Sequence, residues 1–378
     1  MDGVMTDCGG AESSSWLPQH TLSVRRALLF TSDTLHDLSF GIIQDIVVDD
    51  TGRIYVLDGM NRRVSVHNSN GRALRAFGRK GEGPGEFGYP TELYFASPDT
   101  LKVFDAVLFR ATTFSTSGEV LGTISPPGEA RIGQIDEIRF APNSELYMLS
   151  YKGFQESLLS ALGTAAKGLV RGRNVIKRWE ASAGDWINVI EVPGLEVYVD
   201  LNEGTILDVA FAKRPLWAVA PQGLWHADNS RYQFTMYSRE GVEVCRIQVA
   251  WDPMETSRKE RDDYYAAADV AEDPRISPQH ITRIRKQREA IPYPDHKPAI
   301  RSFLVAQNGD LWIDPTDEST SGSETTWHIL SPTGEPRGAV NLPRRFRPMF
   351  IVEDRIYGRE LGDLDVHQVA EYRLSATG

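Results

Sequence analysis

Short apolar segments alternate with tight turns along most of the chain. Residues 46–48 and 53–57 are apolar or alternating on either side of a turn at 49–52. Residues 63–67 then alternate up to Asn70 and Gly71, and a further apolar segment covers 73–77. Alternation with a period of two residues, interrupted by Gly and Asn, is typical of β-strands joined by hairpin turns. The pattern therefore predicts four consecutive short strands.

The same pattern recurs along the chain. Residues 46–58 align without gaps on residues 93–105, and the same offset relates Arg63 to Arg110 and Gly71 to Gly118. Further copies begin near Ile138, Val209, Phe303 and Phe350. A repeat of about 40–50 residues that contains four strands is the signature of a propeller blade. Six copies predict an all-β, six-bladed β-propeller of four-stranded blades.

The repeat also predicts the domain organisation. The sixth copy stops one strand short, and the strand-like segment 21–30 precedes the first copy without a blade of its own. Pairing these two segments would close the ring and remove its exposed edges. We expect a flexible polar leader at 1–20 and a single propeller at 21–375. The predicted blades cover 41–77, 88–124, 133–193, 204–250, 299–342 and 346–374 together with 21–30.

The first copy resembles the NHL repeat. It reads DGMNRRV at 58–64, NG at 70–71 and FGRKGEGPGEF at 77–87. The motif is partial in the second copy and eroded afterwards, so the likeness in motif covers mainly 41–124. The resemblance implies a bacterial NHL-repeat-like, TolB-like propeller. Such propellers host binding proteins and several unrelated enzymes, so the resemblance implies a fold more than a function.

The long insertions fall on one predicted face of the ring. Connections between strands one and two, and between three and four, are short throughout. The other connections, which lie on the opposite face, carry insertions at 78–88, 151–174, 252–298 and 314–324. Because long loops on one face are typical of a functional surface, we expect this insertion-bearing face to hold the site. Residues 252–298 read as a helical insertion that forms either a lid or partner-docking hairpin, or a solvated decoration beside blades four and five.

Acidic residues recur at the position just before each apolar inner strand. In copies one to four that position holds Asp45, Glu92, Glu137 and Asp208, and in copy five it holds Ser302, next to Arg301. We expect these four carboxylates at the channel mouth, with Arg301 and Arg347 as counter-charges. One hypothesis is a site for a divalent cation such as calcium, because hard cations prefer oxygen ligands. The alternative is a hydrated ring of acids that share no ion.

Charge and histidine positions narrow the possible ligands. The chain carries 41 Lys and Arg against 52 Asp and Glu, a formal charge of −11, which argues against a nucleic-acid partner. None of the eight histidines occupies the channel-mouth position, so a histidine-held zinc, as in the lyases among NHL-like propellers, is not expected. No apolar run approaches the roughly 20 residues of a transmembrane helix. We expect a monomer.

The two cysteines bear on localisation. Cys245 reads as a buried strand residue, and two cysteines cannot make a disulfide scaffold. Cys8, followed by Gly-Gly and a small polar segment, resembles the tether after the lipidated cysteine of bacterial envelope proteins. The protein would be a cell-envelope lipoprotein or secreted if its true start lay upstream, and cytoplasmic otherwise.

Two classes of function remain. The first is a binding or scaffold protein that holds a protein, peptide or glycan ligand on the insertion-bearing face. The second is a metal-assisted lactonase-like or lyase-like enzyme that uses the channel carboxylates, with Arg301 or Arg347 stabilising developing negative charge. We favour binding.

Overall fold

The computed structural model describes residues 4–6, 8, 21–33, 38–126, 135–142, 144–151, 154–267, 277–292, 294–316 and 322–375. Four segments precede the first blade: β1 (Val4–Thr6), β2 (Thr21–Phe30), β3 (Ser32–Asp33) and β4 (Leu38–Ser39). The remaining strands form six successive antiparallel units, each of which begins with its inner strand.

The first two blades have four strands each. Blade 1 contains β5 (Ile43–Val48), β6 (Ile54–Asp58), β7 (Arg63–His67) and β8 (Ala73–Phe77). Blade 2 contains β9 (Pro90–Ser97), β10 (Thr100–Asp105), β11 (Arg110–Ser115) and β12 (Val120–Ile124). These bounds match the apolar and alternating segments of the sequence closely, and every residue of the middle strands β6 and β7 is buried.

Blade 3 is longer than the others. It contains β13 (Ile135–Phe140), β14 (Leu146–Tyr151), β15 (Lys167–Glu180), β16 (Asp185–Asp200) and β17 (Thr205–Asp208), with helix α1 (Phe154–Leu162) between β14 and β15. Since β14 pairs only with residues 174–178 of β15, the rest of the β15–β16 pair extends beyond the blade as a two-stranded ribbon. β17 pairs with the end of this ribbon.

Blades 4 and 5 are separated by two helices. Blade 4 contains β18 (Pro215–Ala220), β19 (Gly223–Asp228), β20 (Gln233–Tyr237) and β21 (Glu243–Val249), with β1 added to its outer edge. The helices are α2 (Arg258–Ala267) and α3 (Pro278–Ala290), and residues 268–276 of the predicted helical insertion lie outside the described residues. Blade 5 contains β22 (Ile300–Val305), β23 (Leu311–Pro315), β24 (Glu324–Leu330) and β25 (Pro336–Pro343).

Blade 6 draws a strand from the start of the chain. It contains β26 (Phe346–Val352), β27 (Arg355–Leu361) and β28 (His367–Ser375), and β2 pairs antiparallel with β28. β2 also makes two parallel pairs with β25 of blade 5. Residues near both ends of the chain thus lie in one blade.

Tight turns require glycine at the predicted positions. Gly71 and Gly118, at corresponding turns of blades 1 and 2, have φ of 78° and 95°, which a residue with a β-carbon rarely adopts. A β-carbon on Gly118 would also lie 2.8 Å from the ring of Phe77. The positive φ at these turns explains why the repeat carries glycine there.

Cys8 forms a disulfide with Cys245 on β21. Together with β1, this bond attaches part of the predicted 1–20 leader to blade 4; the rest of the leader lies outside the described residues. A sulfur atom bonded to Cys245 cannot also carry a lipid thioether, so the structure contradicts lipidation of Cys8. Among the described helices, none is long and apolar enough to cross a membrane.

Candidate functional site

The inner strands of the six blades surround a cavity of about 660 Å³. Its wall combines aliphatic and aromatic side chains, including Phe109, Trp217, Phe303, Trp327 and Phe350, with a few charged groups. The volume and the mixture of apolar walls with a few polar groups are typical of small-molecule pockets. The central channel is therefore the candidate site.

A β-bulge recurs at the start of four inner strands. In blades 1, 2, 3 and 5 the register between the inner strand and the second strand shifts by one residue, and the shift comes just before the same position of each inner strand. That position holds Asp45, Glu92, Glu137 and Ser302, respectively. Bulges redirect side chains and often lie near sites. Here each bulge precedes a side chain that lines the cavity.

Asp45 connects blade 1 to blade 2. One carboxylate oxygen accepts a hydrogen bond from the backbone N–H of Ile46 at 2.8 Å, and the other accepts one from Leu93 at 2.8 Å. Burial raises the pKa of Asp45 to about 6, although these two hydrogen bonds and the charge of Arg139 lower it. Both oxygens are therefore already used within the protein.

Arg139 joins two further acids of the channel. Its guanidinium donates to Glu92 at 3.0 Å and also to Glu137, two residues earlier on the same strand. Burial raises the pKa of Glu92 to about 8, against the lowering effect of Arg139 and with a further rise from Asp45 and Glu137. Burial lowers the pKa of Arg139, but the three carboxylates together raise it above its usual value. The single positive charge of Arg139 therefore faces three acids, which agrees with the raised pKa of Glu92.

The structure brings together four of the six predicted site residues. Asp45, Glu92, Glu137 and Arg347 line the cavity. Arg301 instead donates to Asp314 at 2.6 Å, and the neighbouring Ser302 lines the cavity in its place.

Asp208 is exposed and does not line the cavity. The sequence placed the inner strand of the fourth copy directly after residue 208, whereas residues 205–208 form β17, the outermost strand of blade 3. The inner strand of blade 4 is β18, which contributes Trp217, Ala218 and Val219 to the cavity. The long hairpin of blade 3 caused the error, because it delays the start of the next blade.

Two arginines of the cavity were not predicted. Arg139 occupies the position that holds Val47 in blade 1 and Tyr94 in blade 2, so a charge at an otherwise apolar position of an inner strand was an available signal. Arg359 lies on the second strand of blade 6, directly opposite Arg347 on β26. This pairing depends on the register between β26 and β27, which could not be read from the shortened sixth repeat.

The carboxylates do not fit the divalent-cation site that the sequence suggested. The oxygens of Asp45 accept backbone hydrogen bonds, and Arg139 lies between Glu92 and Glu137. In the part of the chain that the structure describes, no group of three or more His, Cys, Asp or Glu side chains could hold a metal ion.

The helical insertion lies beside the channel rather than in its wall. The hydroxyl of Tyr265 accepts a hydrogen bond from the N–H of Ala210, Arg283 contacts Glu203 at 3.1 Å, and Ile291 packs with Tyr198. The described part of the insertion therefore packs on the extended end of blade 3, and none of its residues lines the cavity.

A comparison with family models supports the fold. A family model described as a 6-bladed beta-propeller matches residues 19–143. No curated protein matches the sequence.

Solved structures that align along most of this chain have little sequence in common with it. A member of the DUF4221 family from Bacteroides vulgatus is 9% identical, with 94% of this chain and 99% of that chain covered and a TM-score of 0.49. Virginiamycin B lyase from Staphylococcus aureus is 10% identical (93% and 99% covered, TM-score 0.44), and a gluconolactonase from Xanthomonas campestris is 10% identical (95% and 98% covered, TM-score 0.44). Likeness at this level carries no information on substrate or ligand. By its repeat, its strand order and the family match over residues 19–143, the chain is a six-bladed β-propeller protein, and its first repeat resembles the NHL repeat.

Proposed function

We propose that the protein is a non-catalytic binding protein that receives a ligand, or an apolar part of a larger partner, in the central channel at the insertion-bearing face. The observation that carries this proposal is the cavity of about 660 Å³ with aromatic and aliphatic walls. Burial of apolar ligand surface there supplies affinity without any chemical step. A small molecule, a peptide side chain or a glycan ring would fit this volume.

The state of the acids supports binding over the alternative of a metal-assisted lactonase-like or lyase-like enzyme. That enzyme needs carboxylates that are free to hold a cation. Asp45 of blade 1 accepts a hydrogen bond from blade 2, and Glu92 of blade 2 forms an ion pair with Arg139 of blade 3, so these acids hold adjacent blades together. The raised pKa values of Asp45 and Glu92 follow from burial in these contacts, so a structural role accounts for them.

Binding can be tested with N-phenyl-1-naphthylamine, a neutral aromatic dye that fluoresces in apolar surroundings. We expect saturable binding of one dye per chain. Ala218→Trp and, separately, Ser302→Trp place a large ring in the cavity and should abolish it, whereas Ala183→Trp, at an exposed turn, should leave it unchanged. Circular dichroism checks that each variant is folded. Absence of saturable binding, or equal binding by folded Ala218→Trp and Ser302→Trp, would overturn the proposal.

Calcium titration tests the alternative. If the binding proposal is correct, calorimetric titration with calcium gives the same heat for the wild-type protein, Glu92→Gln and Glu137→Gln. A stoichiometric calcium signal that disappears in both variants would favour the enzyme.

We also propose that the protein functions in an oxidising compartment outside the cytoplasm. The disulfide between Cys8 and Cys245 supports this, because cytoplasmic thiols are usually kept reduced. Mass spectrometry of protein isolated without reductant should find no free thiol at either cysteine. Free thiols at both positions in native protein would contradict the proposal.

A further inference from the structure

Two arginines lie directly opposite each other in the wall of the channel. Arg347 on β26 pairs in register with Arg359 on β27, and both side chains line the cavity. Like charges at directly opposed positions of an antiparallel pair destabilise the sheet. A compensating charge is therefore expected close to them.

The described residues do not supply this charge. Among the described residues neither arginine makes an ion pair. Arg359 donates a hydrogen bond to the carbonyl of Ile43 at 3.5 Å, and the side chain of Arg347 makes no hydrogen bond within this part of the chain. Burial lowers the pKa of Arg359, and Arg347 lowers it further. A carboxylate close to this guanidinium would have the opposite effect.

Acids on the same and neighbouring blades have other partners. Glu360 contacts Arg26 at 3.1 Å and accepts a hydrogen bond from Tyr372. Asp58 accepts hydrogen bonds from the backbone of Gly41 and Ile42. Glu92 and Glu137 contact Arg139 on the other side of blade 1. The charged groups of the channel are thus separated: Arg139 contacts the acids of blades 2 and 3, Asp45 of blade 1 accepts backbone hydrogen bonds, and Arg347 and Arg359 of blade 6 contact no acid among the described residues.

Apolar surface adjoins the two guanidinium groups. Met349 and Phe350 follow Arg347 on β26 and line the same cavity, as do Phe303 and Trp327 of blade 5. Paired guanidinium groups offer several N–H donors to the oxygens of one anion, and hydrogen bonds to charged groups are stronger than neutral ones. This combination suits a molecule with an apolar body and an anionic group.

We propose that the channel binds an organic anion whose carboxylate, sulfonate or phosphate group lies between Arg347 and Arg359 while its apolar body fills the cavity. This inference rests on the proposed function, since it names the chemical class of the ligand for the same cavity.

Two dyes with the same aromatic skeleton separate the anionic contact from the apolar one. 8-Anilinonaphthalene-1-sulfonate carries a sulfonate that N-phenyl-1-naphthylamine lacks. We expect Arg347→Gln and Arg359→Gln each to weaken binding of the sulfonate dye about tenfold, because each removes a charged hydrogen-bond donor. Binding of the neutral dye, which offers no anion to either guanidinium, should weaken by less than about twofold. Arg25→Gln, on the exposed face of β2, is the matched control and should alter neither.

The outcomes distinguish the two proposals. If the wild-type protein binds neither dye in the channel, the proposed function fails. If it binds the neutral dye but the two arginine variants keep full affinity for the sulfonate dye, only the anion site is refuted.

A second measurement does not depend on dyes. Inorganic phosphate, compared with chloride at equal ionic strength, should raise the thermal midpoint of the wild-type protein and of Arg25→Gln by more than that of Arg359→Gln, because phosphate also stabilises folded proteins in general. An equal rise in all three proteins would overturn the anion site.

Discussion

At the scale of single residues, the channel is organised by an unequal number of opposite charges. Arg139 faces Glu92, Glu137 and Asp45, and the Glu92 side chain is only 14% exposed. A proton on one acid relieves the excess of negative charge, which agrees with a pKa of about 8 for Glu92. The stability of the protein should therefore depend on the protonation of this residue.

Glu92→Gln should flatten the dependence of stability on pH. The pKa of Glu92 rises from 4.5 in an unfolded chain to about 8, so between these values the folded state holds a proton that the unfolded chain has released. The free energy of unfolding then falls as pH rises through this window. Between pH 5 and 9 we expect the wild type to lose roughly 1–2 kcal/mol more than the variant, since coupling to Arg139 reduces the full effect. Urea unfolding at several pH values measures this, with exposed Glu119→Gln as control; parallel curves for wild type and Glu92→Gln would contradict it.

Arg139→Gln should destabilise the protein at neutral pH and less so at pH 5. Removing one partner of a buried ion pair costs about 3–5 kcal/mol, but Arg139 is 34% exposed, so we expect about 2 kcal/mol. Without the guanidinium, protonation of the acids at lower pH restores part of the loss. Arg173→Gln, which disturbs an exposed ion pair with Glu191, should cost less than about 1 kcal/mol. Denaturant unfolding of both variants at pH 5 and 7 tests this, and a loss that does not change with pH would refute it.

At the scale of structural elements, the second strand of a blade ends in a carboxylate that holds the neighbouring loops. Asp105 is buried and accepts hydrogen bonds from the backbone N–H groups of Gly88, Tyr89, Val107 and Leu108. Asp58 makes equivalent contacts in blade 1. The motif residue Asp58 therefore has a structural role, since Asp bonds backbone groups in turns.

Asp105→Ala should therefore loosen the channel mouth. Several buried N–H groups lose their acceptor, so we expect a loss of about 2–3 kcal/mol in the free energy of unfolding. Asp99→Ala, at an exposed turn of the same blade, should change it by less than about 0.5 kcal/mol. Chemical denaturation gives both values. Equal effects of the two substitutions would show that the buried carboxylate does not stabilise the loops.

At the scale of the whole molecule, the sequence predicted what is local and periodic. The six-bladed propeller and the glycine turns follow from alternation and spacing, and the inner-strand position that holds Asp45, Glu92 and Glu137 follows from the repeat. Contacts between distant residues do not follow from either. The pairing of Arg347 with Arg359, the place of Asp208 in blade 3 and the bond from Cys8 to Cys245 depend on register, hairpin length and chain return.

The disulfide should stabilise the whole propeller rather than its first residues alone. It links positions 237 residues apart, and it attaches the segment before the closing strand β2 to blade 4, far along the chain from blade 6. Closing a loop of this length restricts the unfolded chain, and native disulfides contribute about 2–4 kcal/mol. We expect reductant to lower the thermal midpoint of the wild-type protein to that of Cys8→Ser and to leave the variant unaffected. Calorimetry with and without reductant measures both midpoints. If reductant does not lower the midpoint of the wild type, or lowers that of Cys8→Ser equally, the bond does not constrain the fold. If attachment of the N-terminal segment is also required to close the ring, both reduced wild type and Cys8→Ser should unfold without a cooperative transition.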